Sequence, residues 1–183
     1  MKFHLTRNQL EEGLPHIEQS LTDNTTLAMI VCRPDEGERK VLQEGYLDKE
    51  KGLIGDNWSL RSSSKTNDGS PFIEMQLNIM NARAIGLIAQ KKERWPLAGD
   101  QLFIDLNLSD ENLPAGSQLS IGEAIIEITL IPHNGCKKFT ERFGMDAVKF
   151  VNSPIGKKMH LRGVNAKVIQ PGRIKTGDRV QKI

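Results

Sequence analysis

The chain has 183 residues, 38% hydrophobic and 26% charged, proportions that fit one soluble globular domain with a sizeable core and exclude a disordered chain. Its 25 Lys and Arg against 23 Asp and Glu leave a net charge of +2, a small sum that conceals an uneven distribution. No apolar run approaches the roughly 18 residues of a membrane helix, the opening MKFHLTRNQLEEGL lacks the apolar core of a secretory leader, and two cysteines, Cys32 and Cys136, are too few for a disulfide framework and fit a reduced, cytoplasmic setting.

Residues 1–25 read as a helical extension. Leu10, Leu14, Ile17 and Leu21 recur at helical spacing, Thr6 with Gln9 has a capping-box pattern, and Gly13 with Pro15 allows a break into two pieces. TTLAMIVCRP and ERKVLQEGYL read as two strands joined by the turn RPDEGE, with Cys32 a small residue at the end of the first. Residues 59–71, SLRSSSKTNDGSP, read as a flexible loop of the kind that serves as a lid or binding loop or stays disordered. IEMQLNIM reads as a strand, and NARAIGLIAQKKERW as a helix that begins near Asn81 and stops before Pro96.

From Gly99 onward the pattern is mainly β. GDQLFIDL alternates, and SQLSIGEAIIEITLI gives a hairpin around Ile121, Gly122 and Glu123. CKKFTERFGMDAVKFVN reads as two short helices separated by Gly144. GVNAKVIQPGRIKTGDRVQKI closes the chain as two strands joined through Pro171-Gly172, with a turn at Gly177-Asp178. Many short strands with glycine punctuation favour a β-barrel or strongly bent sheet with short helices, and closure removes exposed edges. The Gly-Asp pairs at 55–56, 99–100 and 177–178 are explained by turn chemistry, in which Gly supplies positive φ and Asp bonds its own backbone.

The charge is divided along the chain. Residues 136–183 hold twelve Lys and Arg against Glu141, Asp146 and Asp178, whereas residues 1–135 carry a net −7. Either the C-terminal third faces an anionic partner or the two segments neutralise each other across the fold. Nucleic acid is disfavoured, because the basic segment contains Phe139, Phe143 and Phe150 but no Tyr or Trp to stack bases among the cations.

Chemistry concentrates at Cys136. Pro132 disfavours helix before it and Asn134 suits an N-cap, which would place Cys136 in a first helical turn. Free N–H groups there, with Lys137, Lys138 and Arg142, favour thiolate over thiol. Lys138 and Arg142, four apart, share one helix side and could hold one anionic group together. Against this, Cys136, Phe139 and Phe143 form an apolar stripe that would bury the thiol. His133 with Cys136 gives too few ligands for zinc, and His4, His16 and His160 are isolated. His133 could serve a Cys-His hydrolase, yet no serine elbow, phosphate loop, dinucleotide fingerprint, flavin, haem or iron–sulfur motif accompanies it. The residues alone stop at a choice between a reactive thiol in a basic pocket and a packed cysteine.

GCKKFTERFG, LRGVNAKVIQPGRIKTGDRV and the strand GEAIIEIT together resemble a MOSC domain, the family named for the C-terminal domain of molybdenum-cofactor sulfurases. The pattern falls on Pro132, Cys136, Arg162-Gly163, Pro171-Gly172 and Gly177-Asp178, most strongly over residues 95–180, with a weaker upstream element, GLIGD, ending at Asp56. The resemblance implies a single stand-alone MOSC-type β-barrel over residues 1–183. It implies that Cys136 carries sulfur as a persulfide or ligates the molybdenum of a pterin cofactor (molybdopterin). Lys137, Lys138, Arg142 and Arg162 would neutralise the cofactor phosphate, Asp56 would contribute to the cofactor site, and His133 would act as a nearby acid, base or hydrogen-bond donor. Some family members reduce N-hydroxylated compounds, so a small-molecule substrate is implied. The chain has no room for the pyridoxal-phosphate desulfurase domain of the sulfurases, so a separate cysteine desulfurase or an external electron donor would be its partner. The chain departs from the cofactor-binding members by having NWSLRSSSKTNDGSP where those carry a His-Gly-Gly stretch. The rival reading is a non-catalytic barrel module that binds an anionic ligand or a protein.

Overall fold

The N-terminal capping pattern closes as expected. In the computed structural model, which describes residues 4–183, the Thr6 hydroxyl accepts from the Gln9 backbone and the Gln9 side chain accepts from the Thr6 backbone. They open α1 (Arg7–Glu12), and Pro15 stands in the first turn of α2 (Leu14–Glu18). Residues 1–3 of the expected extension lie outside the described residues. Leu10 and Ile17 are buried, but Leu21 leaves the helical stripe and forms a bridge with Leu106. The cause is local: the Ser20 hydroxyl and N–H both bond back to the Ile17 carbonyl and end the helix.

Strands β1 (Thr25–Cys32), β2 (Lys40–Leu42), β3 (Glu44–Asp48), β4 (Gly52–Leu53) and β5 (Leu77–Asn81) follow, then α3 (Ala82–Ala89) and β6 (Leu102–Ile104). The hairpin β7 (Gln118–Ile121) and β8 (Ala124–Ile128) precedes three short helices, α4 (Lys137–Phe143), α5 (Met145–Val151) and α6 (Pro154–Lys158). The chain ends with β9 (Val164–Gln170), β10 (Gly172–Lys175) and β11 (Arg179–Lys182). The order β11-β7-β8-β9-β5-β6-β1 closes on itself where Thr25 and Thr26 pair with Val180 and Arg179, giving a seven-stranded barrel. Its one parallel pair, β5 with β6, is bridged by α3, the crossover that parallel strands require. β2 extends the far end of β1, and β10, β3 and β4 form a second, small sheet.

The period of two along the strands sorts side chains into two cores. Ile30, Ile79, Leu102 and Ile104 join Leu119, Ile126 and Val180 in one cluster. Their neighbours Val31, Met80 and Phe103 face the other way and pack with Leu10, Ile85, Phe139, Phe143 and Phe150 from the helices. β1, β5 and β6 are therefore covered on both faces, which is why β1 reads as an apolar run and why β6, expected to alternate, is buried at all three of its residues.

Several boundaries differ from the sequence reading; in IEMQLNIM the first three residues, Ile73–Met75, form a 3-10 turn ahead of β5. ERKVLQEGYL is two strands, because β2 stays with β1 while β3 pairs with β10. The helix expected to run toward Pro96 stops at Ala89, where Gln90 turns left-handed (φ 63°) and Arg94 Nη1 donates to the Ala89 carbonyl. A 3-10 segment, Lys92–Ala98, follows it. The C-terminal pair is three strands: the expected break at Pro171-Gly172 separates β9 from β10, with Gly172 packed against the β7–β8 turn where a Cβ would lie 2.6 Å from the Glu123 carbonyl oxygen, and the Gly177-Asp178 turn then separates β10 from β11. Finally α6 was not anticipated, although Ser153 as N-cap and Pro154 as first helical residue are a readable start signal.

Candidate functional site

Where β1 ends and β6 and β9 begin, a set of loops brings arginines together. Arg33, the residue after β1, is buried and held by Asp56 through Nε–Oδ2 and Nη2–Oδ1 contacts of 2.8 Å each. Asp56 also accepts from the Arg33 and Trp58 backbone N–H groups, which fixes both ends of the pair. The third arm of that guanidinium, Nη1, donates to the Gly99 carbonyl at 3.0 Å and to Asn78 Oδ1 at 3.2 Å.

Arg162, just before β9, is equally buried. Its Nη1 donates to Asp100 Oδ2 at 2.7 Å, its Nη2 to the Ala98 carbonyl at 3.0 Å, and its guanidinium lies 4.8 Å from the centre of the Phe139 ring. Gly163 makes this placement possible. At φ +108° its Cα stands where a Cβ would come within 2.3 Å of the Ile79 carbonyl oxygen. Arg142 on α4 completes the set by donating Nη1 to the Leu97 carbonyl at 2.7 Å. The carbonyls of Leu97, Ala98 and Gly99 thus each hold a different arginine.

These groups line a cavity of about 660 Å³ together with Arg39, Arg61, Lys138, His133, Asn57, Asn78 and Cys136. Burial, followed by repulsion from Arg142, Arg33 and Arg61, pulls the Arg39 pKa below its usual value. Burial and Arg33 do the same to Arg61. Exposed Asp35 and Glu36 stand at the rim, where Glu36 pairs with Lys138 at 2.8 Å. Several buried polar atoms of the lining have no partner: Arg39 Nε, Arg162 Nε, Asn57 Oδ1 and His133 Nδ1. A concave, cationic cavity with unspent donors has the charge and the hydrogen-bonding capacity to hold an oxyanion.

His133 stands in the wall of this cavity with Nδ1 3.5 Å from Asp100 Oδ1, too long for a well-formed hydrogen bond. Burial, then the charges of Arg162 and Arg33, hold its pKa well below 6.5. It is therefore a neutral imidazole near neutral pH, able to accept at one nitrogen and donate at the other.

Cys136 lies on the cavity lining with its side chain exposed. It is itself the N-cap residue of α4, in extended conformation, rather than a member of the first turn after an Asn134 cap. Phe139 and Phe143 are buried while Cys136 is not, so it stands outside their stripe. The loop before it is tied down by Asn152, whose side chain accepts from the Gly135 N–H and donates to the Gly135 carbonyl. Cys32, in contrast, is buried at the end of β1.

Of the residues singled out from sequence, His133, Cys136, Lys138, Arg142 and Arg162 come together on this cavity, while Lys137 and Asp56 are not on its lining. Asp56 reaches the site only through Arg33. Arg33, Arg39, Arg61 and Asp100 were missed. Three of them are arginines in loops that border strand ends or open the 59–71 segment, and nothing in linear order shows that those loops meet. The charge division is met in part by neutralisation across the fold. Lys158, Lys167, Arg173 and Lys175 pair with Glu111, Glu74, Glu127, Glu123 and Glu44 of the acidic segment. The cavity draws its cations equally from both segments.

The fold is similar to that of the YuaD protein from Bacillus subtilis, with a TM-score of 0.63 and 15% identity over 87% of this chain and 95% of that one. It is also similar to YiiM from Escherichia coli, with a TM-score of 0.56 and 18% identity over 87% and 69% of the two chains. YiiM from Geobacillus stearothermophilus superposes with a TM-score of 0.55 and 13% identity over 87% and 75%. No curated protein matches the sequence. The family model for the MOSC domain matches residues 91–181, a stretch that contains Asp100, His133, Cys136, Arg142 and Arg162. With the closed barrel and this match together, the chain belongs to the MOSC-domain family.

Proposed function

We propose that the cavity holds a phosphate-bearing molybdenum–pterin cofactor, with Cys136 as the protein's ligand to the metal. The observation that carries this reading is the convergence of Arg33, Arg39, Arg61, Arg142, Arg162 and Cys136 on one concave space. The residues fit such a group. Buried guanidinium N–H donors await an acceptor, and a single exposed thiol lies beside them. Among the described residues no group of three or more His, Cys, Asp and Glu is placed to hold a metal, so a metal here needs to bring most of its ligands with it.

When bound, the cofactor supplies two-electron redox chemistry for a small-molecule substrate of the N-hydroxylated class. The chain's own residues do the rest. The arginines hold the phosphate by charge-assisted hydrogen bonds. Neutral His133 gives or takes a proton at the cavity wall, and Lys138 with Glu36 borders the entrance. Electrons come from an external donor, and free Cys32 and Cys136 suit work in the cytoplasm.

A second reading rests on the exposure of Cys136. Its thiolate would attack the outer sulfur of a persulfide on a cysteine desulfurase, forming a new S–S bond while the donor's cysteine leaves as thiolate. Cyanide-labile sulfur on Cys136 after incubation with such a desulfurase is the signature of that role.

The leading reading is tested by releasing and oxidising bound pterin from protein purified out of molybdenum-replete cells. Wild-type protein is expected to yield fluorescent pterin, and the double variant Arg39→Ala/Arg61→Ala to lose it. Equal absence from both removes the cofactor reading.

A further inference from the structure

The segment 97–100 does something unusual with charge. Its three carbonyls each take one guanidinium: Leu97 that of Arg142, Ala98 that of Arg162 and Gly99 that of Arg33. Its last residue, Asp100, is fully buried and places a carboxylate directly behind the cavity, bonded to Arg162 at 2.7 Å and turned toward His133. Gly99 allows the segment to bend at φ +90°, and an added Cβ there would sit 3.6 Å from Arg39 Nη2 and 3.8 Å from Arg142 Nη1. One short turn therefore holds three of the five arginines of the cavity and lies beside a fourth.

We propose that this segment is the positioning element of the anion site, and that Asp100 is a positioning residue that strengthens anion binding although it is itself an anion. The inference rests on reading the cavity as an anion site. Its physical content is a contest between two effects of opposite sign. As a point charge, Asp100 repels any anion in the cavity, and removing it should tighten binding. As a clamp, it holds the Arg162 fork in one orientation, and removing it should weaken binding, because a free guanidinium must be ordered by the ligand instead. The geometry favours the clamp. Asp100 is fully buried and off the cavity lining, whereas Arg162, which it holds by a short buried hydrogen bond, is on that lining. The backbone carbonyls extend the same device to Arg33 and Arg142 without adding net charge.

The probe is inorganic phosphate, titrated calorimetrically into wild-type protein, Asp100→Asn and Asp100→Glu, with circular dichroism and melting temperature recorded for each. A charge-assisted hydrogen bond is worth about one to two powers of ten in affinity. Asp100→Asn, which adds a net positive charge to the site, is therefore expected to weaken phosphate binding at least about tenfold. Asp100→Glu, which keeps the charge but displaces the carboxylate by one methylene, is expected to weaken it as well and covers the case in which the asparagine variant does not fold. Binding to wild-type protein with equal or tighter binding to either folded variant overturns the positioning role and leaves the cavity reading standing. Wild-type protein that binds no phosphate removes the cavity reading and this inference with it.

Discussion

Asp100 lies between Arg162 and His133: Oδ2 accepts from Arg162 at 2.7 Å, and Oδ1 faces His133 Nδ1 at 3.5 Å. Burial pushes the Asp100 pKa up against the opposing pull of Arg162, and burial with two nearby guanidiniums pushes that of His133 down. For the histidine, the folded state binds fewer protons than the unfolded one between its lowered pKa and 6.5. Stability therefore falls as pH drops below 6.5, and His133 contributes nothing to the slope above it. Asp100 acts in the opposite sense, adding stability below 3.8 that is lost as pH rises through its folded value. Urea titrations between pH 8 and 5 are expected to show the loss in wild-type protein and a shallower slope in His133→Gln. An NMR titration of the His133 ring with a midpoint at or above 6.5 contradicts this.

The two thiols should separate cleanly. Cys136 is exposed, while Cys32 is only 3% exposed and its thiol pKa is raised by burial and then by Asp56. Mass spectrometry after iodoacetamide treatment is expected to find one label on the native protein, at Cys136, and a second only in denaturant. Labelling of Cys32 at a similar rate in the native state would sink the assignment.

Asp56 was grouped by sequence with the cofactor ligands, yet its carboxylate is spent on Arg33 and two backbone N–H groups. Its removal leaves a buried guanidinium unpaired, so Asp56→Ala is expected to cost about 3–5 kcal/mol of unfolding free energy. A loss below about 1 kcal/mol by urea unfolding says that water or another group takes over.

Gly163 is a matter of space and backbone rather than charge. An alanine there must adopt φ near +108° and meets the Ile79 carbonyl oxygen at 2.3 Å. Gly163→Ala is expected to destabilise by at least about 2 kcal/mol, the sum of strain and overpacking. An unchanged melting temperature refutes the close approach.

Much of the fold was legible because it is written in local chemistry. The Thr6–Gln9 box, the β7–β8 hairpin and the break at Gly144 each follow from residues a few positions apart. The helix end at Gln90 was not legible, since Arg94 supplies the cap from beyond it, and neither was the departure of β3 and β10 into a second sheet. The site divides along the same line. Cys136 and the basic residues of α4 stand near one another in sequence and were found. Arg33, Arg39 and Arg61 come from separate loops, and only closure of the barrel brings them to Arg162. Gly55-Asp56 and Gly99-Asp100 looked like ordinary turns, but each buries a carboxylate under a cavity arginine. Asp56 keeps its turn bond as well, accepting from the Trp58 N–H, as Asp178 does from the Lys175 N–H at Gly177-Asp178.

The most direct test of the account is the molybdenum content of protein purified from molybdenum-replete cells, measured by elemental analysis for wild type and Cys136→Ser. Molybdenum is expected in the wild-type protein and is expected to be lost from the serine variant. Equal and negligible molybdenum in both contradicts it.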